Sequence, residues 1–149
     1  MVAAGDAAAM VAGAINPTAR VIEAGEMMID LAPGTTTASS YFRMQWPERR
    51  LIFADCAVNV QPTAEQLADI AWASVQEVQR FGIPPKVAFL SHSTYGASKR
   101  ASARKMREAR DIFVDRHPEI ECDGELHGDA ALDPSIRHRY MEAADTTLH

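Results

Sequence analysis

A hydroxyl-rich segment, Ser91-His92-Ser93-Thr94-Tyr95-Gly96, follows apolar residues 87–90 and precedes a helical pattern. Such a junction offers free backbone N–H groups and the positive end of a helix dipole, which suit a phosphate or a carboxylate. In the alternative interpretation, Ser and Thr only cap the helix, and the residues favour neither view. The P-loop spacing is absent, and His92 and Ser93 are neighbours whose side chains point apart in an extended segment. A Ser-His nucleophile pair is therefore not expected.

Two more polar segments stand where strands are predicted to end. Asp55-Cys56-Ala57-Val58-Asn59 follows apolar residues 51–54, and Asp123-Gly124-Glu125-Leu126-His127-Gly128-Asp129 follows a short strand predicted at residues 120–122. Ligands in parallel α/β sheets sit outside the carboxyl ends of the strands. We therefore predict that these two segments and residues 91–96 converge at one edge of one sheet.

The carboxylates Asp123, Glu125 and Asp129 are dense for so short a stretch. They fit three roles: binding a cation, positioning a substrate or transferring a proton. An acidic turn that caps the final helix fits at least as well. Asp133 before Pro134 is the predicted N-cap of that helix, because proline is favoured at the first helical position.

A basic stripe lies on the helix predicted after the hydroxyl-rich segment. Arg100, Arg104 and Arg107 are spaced i, i+4 and i+7, which places them on one face. One interpretation is a surface that attracts phosphate groups. The other, which we favour, is a solvated face opposite the apolar Met106 and Phe113.

Short apolar runs alternate with helical patterns along the chain, which is typical of α/β architecture. This alternation predicts a three-layer α/β sandwich with a mostly parallel sheet and an antiparallel hairpin. The predicted elements are a buried strand at 8–12, a helix from Pro17, a hairpin over 36–54, a helix from a capping box at Thr63 to Gly82, a strand at 87–90, a helix over about 98–117, a strand at 120–122 and a helix within 134–144.

The composition limits the classes of function. The chain has 149 residues, 47% of them hydrophobic, and a net charge of −5, which predicts a single globular domain and argues against nucleic acid as a partner. Cys56 and Cys122 belong to no metal or redox motif and are interpreted as buried thiols in a reducing compartment. Residues 1–14 lack a positively charged start, and no stretch approaches the length of a membrane span. We therefore expect a cytoplasmic protein with no bound metal and no membrane partner.

Four motifs in order resemble those of phosphate acetyltransferases. Residues 5–14, Gly-Asp-Ala-Ala-Ala-Met-Val-Ala-Gly-Ala, resemble the family's G-D-A-D-G-x-V-S-G-A. Residues 54–59 and 62–68 resemble A-D-x-A-V-N and P-T-A-E-x-L-A, and residues 90–98 resemble L-S-x-S-T-x-G-S. Residues 123–132 resemble D-G-E-[LM]-Q-A-D-A-A-L. The same module is appended to large bacterial NADP-dependent malic enzymes.

The resemblance implies an isocitrate/isopropylmalate dehydrogenase-like fold and acyl transfer between coenzyme A and inorganic phosphate. The chain would form most of the second domain, truncated at both ends, in a homodimer or higher homo-oligomer. It implies acetyl-CoA, acetyl phosphate and phosphate as partners, with coenzyme A as substrate or effector and no tightly bound cofactor. The substrate-binding residues would be Ser91, Ser93, Thr94, Tyr95, Gly96, Asp55, Asn59, Asp123, Glu125 and Asp129.

The sequence departs from the family pattern at two levels. Ala8, Ala9 and Ala12 replace an acidic residue, a glycine and a serine in the first motif, and Asn16-Pro17 follows where His/Ser-Thr is frequent. The family's A-G-N run and its Ser-Arg pair with a downstream Asp have no counterpart here, so the catalytic residues are expected outside this chain. The alternative function is an acetyl-CoA-sensing, non-catalytic domain of a malic enzyme.

Overall fold

A computed structural model describes residues 1–146, and the side chains of residues 1–142. They divide into two compact units, Met1–Ala38 and the residues from Ser39 onward. The elements in chain order are α1 (Thr18–Ile29), β1 (Tyr41–Gln45), β2 (Arg50–Ala54), α2 (Ala64–Arg80), β3 (Lys86–Leu90), α3 (Ala101–Arg116), β4 (Glu121–Leu126), α4 (Gly128–Leu132) and α5 (Pro134–Thr146).

In the first unit, α1 confirms the helix predicted after Pro17. The buried strand predicted at residues 8–12 is wrong, because these residues form no strand and are all exposed. Val11, for example, is 100% exposed. Ala and Gly are weak strand formers, and no strand of the described residues pairs with this run.

In the second unit, β1 and β2 form the predicted antiparallel hairpin, with Tyr41 opposite Ala54 and Gln45 opposite Arg50. The helix α2 begins at the predicted capping box. The Gln66 backbone N–H donates to Thr63 Oγ1 at 3.2 Å, and the Thr63 N–H donates to Gln66 Oε1 at 2.9 Å. The hairpin and the helix start are thus both encoded in local sequence.

The strands β3 and β4 run parallel and are joined through α3, which makes a β-α-β unit. The helices α2 and α3 pack together and contact β3. Their shared core is small and dominated by alanine and phenylalanine, with the Phe89 and Phe113 rings 5.9 Å apart in an edge-on arrangement. Its buried members are Ala64, Ala68, Val75, Phe89, Ala109 and Phe113.

Two predictions about the elements of the second unit need correction, and one helix was not predicted. The hairpin and the parallel pair are separate two-stranded sheets among the described residues, so the prediction of one common sheet is wrong. The strand predicted at 120–122 continues to Leu126, because the carboxylate segment is itself part of β4. The short helix α4 was missed, since only Gly128–Leu132 form it.

The two cysteines are both half-buried free thiols. Burial raises the pKa of the Cys122 thiol to about 11. Cys56 Sγ donates to the Phe53 carbonyl at 2.9 Å. None of the helices in residues 1–146 combines the length and apolar composition that crossing a bilayer requires.

Candidate functional site

The 91–96 loop, defined as residues 91–96, is held against the end of β4 by backbone hydrogen bonds. The Ser91 N–H donates to the Leu126 carbonyl at 2.9 Å, and the Tyr95 N–H donates to the Glu125 carbonyl at 3.1 Å. The His127 N–H donates to Thr94 Oγ1 at 3.0 Å. Two of the three predicted segments therefore come together at the carboxyl ends of β3 and β4.

A register shift in the parallel pair gives Glu125 an unusual position. Phe89 pairs with Gly124 and Leu90 with Leu126, so that Glu125 is an extra residue of β4. Gly124 has φ 141°, and a Cβ there would lie 2.8 Å from the Phe89 carbonyl oxygen. Only glycine fits this close approach of the two strands.

The Glu125 side chain is 0% exposed and is the centre of the site. Its Oε1 accepts hydrogen bonds from Ser93 Oγ at 2.9 Å, the Gly96 N–H at 3.1 Å and Arg107 Nη1 at 2.7 Å. Its Oε2 is buried and has no hydrogen-bond partner among the described residues. A buried carboxylate is energetically costly unless it is compensated. The Arg107 guanidinium and the donors of Ser93 and Gly96 together stabilise Glu125.

Arg107 reaches this carboxylate from α3 and is only 26% exposed. Its guanidinium also donates to the Ser98 carbonyl at 3.3 and 3.4 Å, and the Ser98 N–H donates to Ser93 Oγ at 2.9 Å. The interpretation of the basic stripe as a solvated face is therefore wrong for Arg107, whereas Arg100 and Arg104 are exposed. Helical spacing places a residue on a face but does not identify its distant partner.

Tyr95 and Asp123 form a second connection between the loop and β4. Tyr95 has φ 47°, and its hydroxyl donates to Asp123 Oδ2 at 2.9 Å. Burial, together with this hydrogen bond to a carboxylate, raises the pKa of Tyr95 to about 12. Arg137 Nη1 lies 3.7 Å from the same oxygen. Asp123 is thus engaged within the protein.

A small cleft of about 240 Å³ opens beside the loop. Two histidines that the sequence analysis did not nominate border it: His92 Nε2 lies 3.4 Å from Ser98 Oγ, and His127 Nδ1 lies 3.4 Å from the Tyr140 hydroxyl. The lining residues are His92, Ser93, Thr94, Ala97, Ser98, His127 and Tyr140.

The backbone of the loop is suited to an anion. The hydrogen bonds of the described residues include none donated by the N–H groups of His92, Ser93 or Thr94. Successive N–H groups without acceptors form a concavity that attracts negatively charged oxygen atoms. The Ser93 and Thr94 hydroxyls are buried and bonded internally, so their structural contribution is to shape the loop.

The Asp55 segment is organised separately, at the end of β2. Asp55 Oδ1 accepts from the Ser40 N–H at 3.1 Å and Ser40 Oγ at 2.9 Å, while Oδ2 accepts from the Asn59 N–H at 2.6 Å and Nδ2 at 2.7 Å. Burial raises the pKa of Asp55, but these hydrogen bonds outweigh it and hold the pKa far below its ordinary value. The hydrogen bonds of Asp55 stay within residues 40–59. The structure does not bring this segment onto the sheet of β3 and β4.

Asp129 is exposed in the first turn of α4, where its Oδ1 accepts from the Ala130 N–H at 2.7 Å. The predicted N-cap Asp133 accepts from the Ser135 N–H at 2.8 Å. Within residues 1–146, no three His, Cys, Asp or Glu side chains are grouped so that they could hold a metal ion. The carboxylates of this region accept hydrogen bonds within the protein.

Fold and site together define an α/β protein with an anion-suited loop at the carboxyl end of a parallel strand. The chain belongs to the phosphate acetyl/butaryl transferase family, whose model matches residues 1–147. It is 46% identical over 136 residues to a phosphate acetyltransferase of Nitratidesulfovibrio vulgaris, covering 91% of this chain and 19% of the relative. It is 43% identical over 141 residues to an NADP-dependent malic enzyme of Salmonella typhimurium, covering 95% of this chain and 19% of that enzyme.

A solved phosphotransacetylase from Streptococcus pyogenes has the same fold, with a TM-score of 0.83 and 40% identity. The match covers 92% of this chain and 42% of the other. The α/β fold with a parallel strand pair and an antiparallel hairpin is thereby confirmed. The chain spans about a fifth of the length of the curated relatives named above.

Proposed function

We propose that this chain forms one wall of the substrate site of a phosphate acetyltransferase, which moves an acetyl group between coenzyme A and inorganic phosphate. The observation that carries the proposal is the 91–96 loop, in which the N–H groups of His92, Ser93 and Thr94 donate no hydrogen bond among the described residues and so suit a phosphate group. Family membership supports the reaction type. The catalytic groups lie outside this chain in this proposal.

The reaction is a direct transfer. The thiolate of coenzyme A attacks the carbonyl carbon of acetyl phosphate, a C–S bond forms, and the C–O bond to phosphate breaks with its electron pair leaving on phosphate. A base supplied by the rest of the protein takes the thiol proton. Fixed N–H donors stabilise the charge on the leaving phosphate without reorganising during the reaction.

The proposal also covers the whole protein to which this chain belongs. In the whole protein, the β3–β4 pair belongs to a larger, mostly parallel sheet between two helical layers, similar to isocitrate and isopropylmalate dehydrogenases. The chain supplies most of the second domain, and the site lies in a cleft against another domain. The whole protein is a cytoplasmic homodimer or higher homo-oligomer that binds acetyl-CoA, acetyl phosphate and phosphate.

The test uses the full-length protein and follows acetyl-CoA formation from acetyl phosphate and coenzyme A. Replacement of Ser93 and Thr94 by Ala removes the hydroxyls that shape the loop and is expected to lower kcat/KM about tenfold to a hundredfold. The control is Ser74→Ala, which removes a hydroxyl bonded to the Ile70 carbonyl within α2. Full activity in the double variant would contradict the role given to the loop.

The second candidate is an acetyl-CoA-sensing domain of a malic enzyme. The similarity to the Salmonella malic enzyme over 95% of this chain favours it. A full-length protein with a dinucleotide-binding domain upstream, whose dehydrogenase activity responds to acetyl-CoA while no acetyl phosphate is formed, would establish this function instead. Binding of acetyl-CoA and of the dehydrogenase substrate must then alter each other's affinity reciprocally.

A further inference from the structure

We infer that Arg107 and Glu125 form a positioning unit that fixes the 91–96 loop in the shape that binds a phosphate group of the substrate. The inference rests on the proposed function and extends it to residues that do not line the cleft themselves. The geometry points to this unit because the Arg107–Glu125 pair connects three separate parts of the site. These parts are the end of β4, the loop and the chain just after the loop.

The first step is the connection made by Glu125. Its Oε1 accepts from Ser93 Oγ at 2.9 Å and from the Gly96 N–H at 3.1 Å, which fixes the middle and the end of the loop. Its carbonyl accepts the Tyr95 N–H at 3.1 Å. Glu125 thus accepts three donors of the loop, and Leu126 accepts the Ser91 N–H. Among the described residues, the N–H groups of His92, Ser93 and Thr94 donate no hydrogen bond.

The second step is the connection made by Arg107. Its guanidinium lies 2.7 Å from Glu125 Oε1 and also donates to the Ser98 carbonyl. Ser98 in turn donates its N–H to Ser93 Oγ at 2.9 Å. Arginine can make both contacts at once because its donors form a planar fork, which the single ammonium of lysine does not.

The third step concerns the energetic cost of burying the Glu125 carboxylate. A carboxylate that is 0% exposed, with one oxygen that has no partner among the described residues, destabilises the fold unless a cation compensates it. A less buried ion pair between α3 and α2 makes the contrast: Arg116 lies 2.9 Å from Asp69, with the two side chains 47% and 30% exposed. In that pair, Arg116 Nη1 donates to Asp69 Oδ1 and joins α3 to α2. Of the two pairs, the more deeply buried Arg107–Glu125 pair is the one with hydrogen bonds to Ser93 and Gly96 of the loop.

The experiment compares Arg107→Met, Arg107→Lys and Glu125→Gln in the full-length protein, with Arg116→Met as the matched control. The assay starts from acetyl-CoA and inorganic phosphate, and KM is determined separately for each. We expect Arg107→Met and Glu125→Gln to raise KM for one phosphate-bearing substrate about tenfold or more, and Arg107→Lys to recover part of the loss. A rise for inorganic phosphate assigns the loop to that substrate, and a rise for acetyl-CoA assigns it to the phosphates of coenzyme A.

A second measurement is independent of activity. Amide hydrogen exchange at Tyr95, Gly96 and Ser98 reports whether the loop keeps its hydrogen bonds. Arg107→Met is expected to speed exchange at Gly96 and Ser98 about tenfold, while Arg116→Met leaves it unchanged. Glu125→Gln serves if Arg107→Met fails to fold, since it keeps the side-chain shape.

The outcomes separate the two proposals. A wild-type protein that forms no acetyl phosphate overturns the proposed function, while the exchange rates still decide whether the pair holds the loop. An active wild type whose Arg107 and Glu125 variants keep both KM values and the exchange rates within about twofold overturns the positioning role alone.

Discussion

Two carboxylates at strand ends, Glu125 and Asp55, are stabilised in opposite ways. Asp55 accepts hydrogen bonds from residues within 40–59, all on its own stretch of chain. Glu125 is fully buried and depends on Ser93, Gly96 and Arg107, which precede it by 32, 29 and 18 positions. Asp55 organises a local turn, whereas Glu125 joins two strand ends and a helix. The difference shows that the 91–96 loop gets its shape from residues distant in sequence.

The largest effect is expected when Glu125 is replaced by Ala in the full-length protein. The change leaves Arg107 without its carboxylate and removes the acceptor for the loop, so the free energy of unfolding should fall by about 3–5 kcal/mol. Urea-induced unfolding measures this. If Glu125→Ala lowers the free energy of unfolding no more than Asp55→Ala does, the contrast drawn between the two carboxylates is contradicted.

Gly124→Ala should come next. The added Cβ would lie 2.8 Å from the Phe89 carbonyl oxygen at φ 141°, so we expect a loss of about 2–4 kcal/mol. Gly128→Ala is the control, because nothing lies within 4 Å of a Cβ at that position. Equal unfolding midpoints for the two variants would show that the strands do not approach as closely as described.

Asp55→Asn should cost about 1–2 kcal/mol at neutral pH, since an amide keeps the shape but weakens the hydrogen bonds from Ser40 and Asn59. The folded-state pKa of Asp55 lies below its ordinary value of 3.8, so the unfolded chain takes up the proton first as the pH falls. The stabilisation is therefore complete above about pH 5 and declines as the pH falls below about 4. Unfolding at neutral and acidic pH should show wild type and variant converging in acid; a constant difference would contradict the assignment.

Tyr95→Phe should have the smallest effect, about 1 kcal/mol, because it removes one hydrogen bond to Asp123. The folded pKa of about 12 lies above the ordinary value of 10.0, so this stabilisation is present below pH 10 and is lost as the pH rises toward 12. Alkaline titration followed by phenolate absorbance measures this. The component that titrates at the highest pH in the wild type belongs to Tyr95 and should be missing in the variant. If the component that the variant loses titrates near the ordinary value of 10.0 in the wild type, the buried hydrogen bond is contradicted.

Local chemistry was predictable from the sequence, and distant pairing was not. The capping box at Thr63 and the hairpin at β1 and β2 follow from nearby residues, and both are confirmed. The 91–96 loop and the carboxylate segment were placed together correctly, since the loop follows β3 and the segment includes the carboxyl end of β4, its parallel partner. Asp55 was placed on the wrong sheet. The sequence of a hairpin that precedes a helix does not indicate whether the hairpin pairs with later strands of the chain.

The role of Arg107 was not predictable from the sequence for a related reason. Its spacing with Arg100 and Arg104 describes a helix face, and the face alone favours solvent. The partner that turns Arg107 inward is an extra residue in β4, and a register shift of this kind leaves no mark in hydrophobic periodicity. Site residues held by long-range charge pairs need coordinates to be found.

The extra residue in β4 has a practical consequence for protein engineering. Transplanting residues 91–96 into another α/β scaffold would carry the hydroxyls but leave behind the acceptors at Glu125 and Leu126. The portable unit is the loop together with its neighbouring strand and the arginine of the intervening helix, so a graft or a sequence library should treat all three as one cassette.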